Sequence, residues 1–400
     1  MSGMRIGQSI EERAFAALLA TVFSITFSIA LGQLCAGVCL FLFLMGLYKK
    51  QITWRSPSGT GLALAFILFA IFLSAFHGDA AGLWKRIGRL FWFALIPVTA
   101  SLVAVHGRDR KVITAFLIGC GVLGIKDLVW FPIKAWRNPA PDFLTALIDK
   151  GSMTDGQMLM LGVVGSVLVL LFAIKDRRII PWWGWTLLLF QVAGLLINFK
   201  RGSWFCAMLL IGFAVVMHLR WRALLIMAAL LVVFFMLPPV QTRMAQLKRE
   251  FNVESGGRLT MWFKIAPALI REHPAGIGFG CLTNEKMKQV FRRVEPHRTH
   301  LHANWAQVLV EMGWVGLGLY LSWMGKILLN NIAWVRTVRE ASGVDREVAW
   351  VALLLLVGLI LNGLVEYNFG DTEMLFIYAF VIGLTGACNC GKVSVKWRAL

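Results

Sequence analysis

Apolar residues recur in long runs separated by short polar or basic clusters. The runs fall at about 14–31, 33–48, 60–76, 90–105, 112–130, 157–174, 180–198, 203–218, 223–240, 305–325, 348–366 and 373–388. A helix needs about 20 apolar residues, with a range of about 17–25, to cross a bilayer. The pattern therefore predicts an all-α, polytopic transmembrane helix bundle of about 12 spans, the shorter runs extending into their flanks. A tight turn at Gly32-Gln33 is expected to join the first two. One polar interval is much longer than the others and predicts a helical outer loop between spans nine and ten. The expected organisation is spans one to nine within 1–240, a loop with amphipathic helices over 241–304, and spans ten to twelve with a short tail over 305–400.

Within the long loop the periodicity is helical. Residues 258–272 (RLTMWFKIAPALIRE) set Leu259, Trp262, Ala266 and Leu269 on one face, with Pro267 expected to kink the segment and His273-Pro274 to end it. Such an amphipathic stretch is expected to lie in the membrane interface. Residues 283–294 (TNEKMKQVFRRV) place Met287, Val290, Phe291 and Val294 on one face and Lys286, Lys288, Arg292 and Arg293 on the others. A basic amphipathic helix suits an anionic membrane surface or an anionic ligand, although a solvated face explains each charge taken singly.

Composition agrees with the pattern. Hydrophobic residues make up 58% of the chain and charged residues 15%, with a mean hydropathy of +0.71, far from a water-soluble globule. Disorder, a collagen-like chain and a disulfide scaffold are excluded. The seven cysteines form no CxxC pair and imply neither a disulfide framework nor a zinc site. The first apolar run lacks a small-residue cleavage pattern and is expected to be a retained span.

Charge changes the picture more. Lys and Arg number 40 against 21 Asp and Glu, a net of +19. Nucleic acid is not needed to explain this, because cytoplasmic loops of membrane proteins collect Lys and Arg. With the N-terminus inside, twenty basic residues fall in short inner segments and eight in short outer ones. Both termini are then expected in the cytoplasm and the long loop outside. Two groups escape the rule. One is the long loop, with 11 Lys and Arg, 5 Glu and four of the seven histidines. The other is Lys200-Arg201, on the outer side in a very short turn. Snorkelling at the interface explains such a pair equally well.

The candidate chemistry sits in that loop. HPAGIGFG (273–280) alternates glycines that a phosphate cradle would need, but no βαβ context surrounds them, and a close backbone turn is the simpler reading. His297, His300 and His302 crowd ahead of span ten. A metal site would want a further acid or thiol partner, and Glu295 is the only near acid. General-base chemistry suits the cluster better. No DxD occurs, so the usual carboxylate clamp for a metal-bound nucleotide sugar is missing. Arg201, Arg258 and Lys200 suit an anionic leaving group held by guanidinium, most simply a lipid pyrophosphate. Glu366 and Asp371 flank the last outer turn (EYNFGDTE). Either acid suits orienting the histidine or contacting an acceptor, and a plain polar loop explains both as well. Asp371 is the choice made between them.

Three stretches carry a resemblance: FKRGSWFCAMLL (199–210), GRLTMWFKIAPALIREHPAGIGFG (257–280) and HLHANWAQVLVEMGWVG (300–316). They resemble, in order, the Ser-Arg-Gly turn, the Arg-x-x-x-Trp stretch with its glycine turn, and the histidine motif of the O-antigen ligase and polymerase family of polytopic glycosyltransferases. Together they cover under a third of the chain. Counting nine residues back from Gly313-x-x-Gly316 puts the motif histidine at His302, with His300 second. Ala303 stands where the family usually has Asn, Ser or Gln, with Asn304 following, and Lys200 replaces the usual Ser. The resemblance implies an inner-membrane enzyme needing no metal or cofactor. It would move a glycan from undecaprenyl pyrophosphate in the outer leaflet to lipid A–core oligosaccharide, among membrane lipids and without nucleic acid. His302 would be the base, Arg201, Arg258 and Lys200 the pyrophosphate ligands, and Asp371 and Asn304 acceptor or orienting groups. The family also contains O-antigen polymerases and protein O-oligosaccharyltransferases. The short outer segments elsewhere, and the chain's stop soon after its last span, lean towards the ligase. A lipid or solute transporter is the reading from another class, but the inverted repeats and ion relays expected of one are not evident.

Overall fold

The computed structural model describes residues 9–77, 88–105, 107–137, 143–219, 252–294, 299–338 and 343–385, together with 225, 228, 232 and 234–245. Among these residues there is no strand. The helices are α1 (Ile10–Ser24), α2 (Ile29–Tyr48), α3 (Thr60–His77), α4 (Leu95–Leu102), α5 (Arg108–Arg137), α6 (Phe143–Lys150), α7 (Met153–Lys175), α8 (Trp182–Ile197), α9 (Arg201–Leu219), α10 (Pro238–Ala245), α11 (Ala266–Glu272), α12 (Asn284–Val290), α13 (Asn304–Thr337), α14 (Gly343–Gly363) and α15 (Thr372–Leu384). Eleven of the twelve expected apolar runs fall on helices. The ninth, 223–240, lies mostly outside the described residues, as do both termini, Glu295 and His297. Among the described residues, five helices are able by length and composition to cross a membrane: α2, α5, α7, α9 and α13. Thr60–Phe76, Gly88–Leu102, Trp182–Ile197 and Thr372–Leu384 are apolar but shorter.

The apolar residues divide by position in the bundle. Residues Met374 to Leu384 of α15 are all buried, so this helix is apolar on every face because it is packed on every face. It lies against α4, while α14 packs on α7 and α13, and α3 packs on α13. The outer helices expose large apolar side chains instead. On α2, Leu34 is 67% exposed and Phe41 63%, as suits a surface that meets lipid. Close crossings use glycine. A Cβ on Gly124 would lie 2.3 Å from the Phe190 carbonyl oxygen, and one on Gly194 2.7 Å from Gly124 Cα, so α5 and α8 touch backbone to backbone.

The turn between the first two helices is not at Gly32-Gln33. α1 ends at Ser24, and Ser28 caps α2 by accepting from the Leu31 N–H at 3.4 Å. Gly32 is helical; its missing side chain makes room for Ile25. The real turn is hard to see because its polar residues, Thr26 and Ser28, are small and alternate with Ile25 and Phe27 inside a long apolar run.

The segment after α10 folds as a cap over the start of α13. Met261, Ile265, Ala266 and Leu269 are buried with Ile277, Leu282, Met287, Leu301, Ala303 and Val310 in a small core of their own. The expected face of 258–272 is therefore off by one residue at its start, and that face packs on protein. The cause is a π turn at Met261–Ile265, ahead of Pro267, whose extra residue rotates the register. In 283–294 the expected apolar face holds, with Met287 and Val294 buried, although the helix itself stops at Val290.

Candidate functional site

The site is built where four chain segments meet at one end of the bundle. The first is the turn into α9. Phe199 takes a left-handed backbone (φ 57°), which a bulky residue adopts only under constraint, and Lys200 leads directly into α9. Phe199 and Arg201 are held through Arg243 of α10: Arg243 Nε donates to the Phe199 carbonyl at 3.2 Å, and Arg201 Nη1 donates to the Arg243 carbonyl at 2.7 Å. Arg201 is buried. Lys200 lays its aliphatic stem against Gly151 and Gly156 at the start of α7.

The second segment carries Arg258 and Trp262, four residues apart and on one side of the segment. Trp262 Nε1 donates to the Leu301 carbonyl at 2.8 Å, and Arg258 forms an ion pair with Glu366.

The third segment is His300-Leu301-His302. It is pinned from both sides, because the Leu301 N–H donates to Gln307 Oε1 at 2.8 Å while its carbonyl is held by Trp262. Leu301 anchors it in the cap core. His302 has a left-handed backbone (φ 51°) and is 4% exposed, and the His300 and His302 rings lie 4.4 Å apart.

The fourth segment, 364–371, links α14 to α15 and brings the acid. Glu366 is buried; Oε1 accepts from Arg258 Nη2, and Oε2 lies 3.2 Å from His302 Nδ1. Burial works to raise this carboxyl's pKa. The hydrogen bond with His302 and the charges of Arg258, His302 and His300 outweigh it, and the pKa lies below its ordinary value. Glu366 therefore stays an anion and joins Arg258 to His302 in one unit. α9 passes close to this carboxylate: a Cβ on Gly202, next to Arg201, would lie 3.7 Å from Glu366 Oε1, an ordinary contact.

The acid meeting the histidine is thus Glu366 rather than Asp371. Asp371 Oδ2 accepts from Thr154 at 3.1 Å, and burial, partly offset by that bond, raises its pKa. Both acids lie in one short turn, and sequence spacing carries no signal for which of them faces His302. Asn304 is placed too deep to meet a substrate. It is 1% exposed, its Nδ2 donates to Asn368 Oδ1 at 2.6 Å, and its Oδ1 accepts from the backbone N–H groups of Asn368 (3.0 Å) and Phe369 (3.3 Å). It holds the 364–371 loop in place, which in turn fixes Glu366.

The alternate glycines are used for packing. Gly313 breaks α13 with φ 65° and ψ −168°. Beside this break, Val310 and Glu311 offer their carbonyls to the N–H groups of Ile277 (3.1 Å) and Gly278 (2.9 Å). A Cβ on Gly276 would lie 2.5 Å from the Glu311 oxygen, and one on Gly313 2.5 Å from the Pro274 oxygen. The glycine loop and the helix break are one interlock that sets the angle of the site-bearing first turns of α13, and the N–H groups a phosphate would need are already engaged. Among the described residues, no three His, Cys, Asp or Glu side chains cluster as metal ligands would.

The unit of Arg258, anionic Glu366 and His302, beside the buried Arg201, is able to hold an anion and move a proton in the same place. No curated protein matches the chain. The segment running from α8 through the α9 turn and the cap into α13, residues 186–321, matches the family model described as O-antigen ligase. With its several apolar helices, the chain has the character of a multi-pass membrane protein. Over residues 186–321, about a third of its length, the chain is similar to the O-antigen ligase family.

Proposed function

We propose that the protein is an inverting, metal-independent O-antigen ligase. It transfers glycan from undecaprenyl pyrophosphate to a hydroxyl of lipid A–core oligosaccharide at the periplasmic face of the inner membrane, with both termini cytoplasmic. The observation that carries this reading is the Arg258–Glu366–His302 unit. With Nδ1–H donating to Glu366, the basic lone pair of His302 is on Nε2. That nitrogen takes the proton of the acceptor hydroxyl as its oxygen attacks the anomeric carbon. The anomeric carbon–oxygen bond breaks on the opposite side, and its electron pair leaves with undecaprenyl pyrophosphate. Glu366 stabilises the imidazolium that forms.

Arg258, Arg201 and Lys200 bind the leaving group and stabilise its growing charge. General-base help contributes about 10²–10⁴-fold. Loss of one preorganised charge donor costs about 3–4 kcal/mol by analogy with oxyanion holes. The His and Arg contributions are therefore of similar size. His300, edge-on to His302, is the second candidate base, and Asp371 the candidate acceptor contact.

The test is reconstitution of purified protein with carrier-linked glycan and rough lipopolysaccharide in the presence of chelator. A mass shift on the lipopolysaccharide is expected. Lengthening of glycan on the carrier instead would make the protein a polymerase, and glycan found on protein would make it an oligosaccharyltransferase.

A further inference from the structure

A cavity of about 460 Å³ opens between α5 and α7, beside the candidate site but separate from it. Its size falls within the roughly 300–1,000 Å³ of small-ligand sites. Lys126, Trp130 and Lys134 line it at i, i+4 and i+8 of α5, a stripe of cation, indole and cation on one helix face. Phe131 adds a second aromatic wall, and Ser152 and Asp155 face them from the start of α7.

The two lysines differ. Lys126 Nζ lies 3.2 Å from Asp155 Oδ2 and 3.9 Å from Asp127 Oδ1, so its charge is balanced within the protein. Lys134 Nζ sits 5.4 Å from the centre of the Trp130 ring, and among the described residues it has no carboxylate at ion-pair distance. The cavity is tied to the candidate site by two hydrogen bonds. Thr154, next to Asp155, donates to Asp371 at 3.1 Å. Asn198, two residues before Lys200, donates to the buried Asp127 at 3.3 Å.

We propose that this cavity binds a negatively charged saccharide, phosphorylated or carboxylated, belonging to the acceptor. The aromatic walls take the apolar face of a sugar ring. The carboxylate of Asp155 and the hydroxyl of Ser152 take its hydroxyls. Lys134 takes the anionic substituent. Asp155 sets this apart from a site for a bare phosphate, which a carboxylate in the wall would repel. The proposal rests on the glycosyl-transfer reading for the identity of the saccharide, and its Thr154–Asp371 link places the bound sugar next to that site.

The experiment is isothermal titration of the full-length protein in nanodiscs of zwitterionic lipid. Three probes are used: deacylated phosphorylated core oligosaccharide, the same oligosaccharide after removal of its phosphates, and a short-chain phosphatidylglycerol. Lys134→Gln is expected to weaken binding of the phosphorylated probe about tenfold and to leave the dephosphorylated probe unchanged. Asp155→Asn is expected to weaken both sugar probes. Equal affinity of wild type and Lys134→Gln for the phosphorylated probe would overturn the proposal. So would displacement of the oligosaccharide by phosphatidylglycerol, which would make the cavity a lipid-headgroup site. Arg258→Ala separates the two readings: it is expected to bind the oligosaccharide as wild type does while transferring nothing. Lys134-dependent binding in a protein that transfers no glycan would sink the ligase reading alone. Normal transfer with Lys134-independent binding would sink only this one.

Discussion

Glu366→Gln is the most telling single change. The amide keeps the shape of the carboxylate and removes its charge, so Arg258 loses its counter-ion and the imidazole its anionic partner. A hydrogen bond to a charged group contributes about 1.5–3 kcal/mol, and Glu366 is 5% exposed, so solvent does little to reduce that range. The bond to His302 strengthens as the imidazole becomes cationic. If about 2 kcal/mol of it is expressed only in the transition state, transfer slows about 30-fold. An uncompensated Arg258 guanidinium that swings towards the vacated carboxylate position adds up to about another tenfold through lost alignment. Single-turnover transfer, read as the mass shift on lipopolysaccharide, should therefore fall about 30- to 300-fold, with chain insertion and thermal unfolding first checked to be near wild type. Asp371→Asn in the same assay should lose less, about tenfold at most, because Asp371 bonds Thr154 rather than His302. A Glu366→Gln enzyme of nearly full activity beside a crippled Asp371→Asn enzyme would refute the assignment of the orienting acid.

Further predictions follow from the same geometry. The Glu366 pKa is depressed in the folded protein, so the pair contributes its full stability above the ordinary carboxylate value of about 4.3 and loses it as pH falls through the lower folded value. The unfolding temperature of wild type should thus drop on acidification below about pH 4.3 more steeply than that of Glu366→Gln. Gly313→Ala should cost about 3 kcal/mol or more, because its backbone region is nearly glycine-only and a Cβ would meet the Pro274 carbonyl; thermal unfolding in detergent measures this. Trp262→Phe removes the hydrogen bond to the Leu301 carbonyl and should cost only about 0.5–1.5 kcal/mol of stability. Its transfer rate should fall further, about tenfold, because the released carbonyl belongs to the residue before His302. Equal losses in unfolding temperature and turnover would contradict that positioning role.

What the sequence makes legible, and what it hides, follows from the range of the physics involved. Helix positions are readable because hydropathy over about 20 residues is a local property. The turn at 25–28 is not, since Thr26 and Ser28 are isolated within a long apolar run and Gly32, which looks like a turn former, serves helix packing instead. The buried face of 258–272 is lost by one residue because a π turn leaves no mark in periodicity. Arg258 and His302 are legible as residue types, yet the carboxylate between them is not: Glu366 is 108 residues from one and 64 from the other. The glycines of 276–280 read as a close turn, but their partner, the break at Gly313, is visible only in three dimensions.

The central claim is that Arg258, Glu366 and His302 act as one chemical unit. A double-mutant cycle on single-turnover transfer addresses it directly, with Arg258→Ala, His302→Ala and the double variant each confirmed to be inserted and folded. Residues acting together lose activity non-additively, so the double variant should be little slower than the worse single one. Losses that multiply, or a His302→Ala enzyme that still transfers glycan at the wild-type rate, would contradict the account.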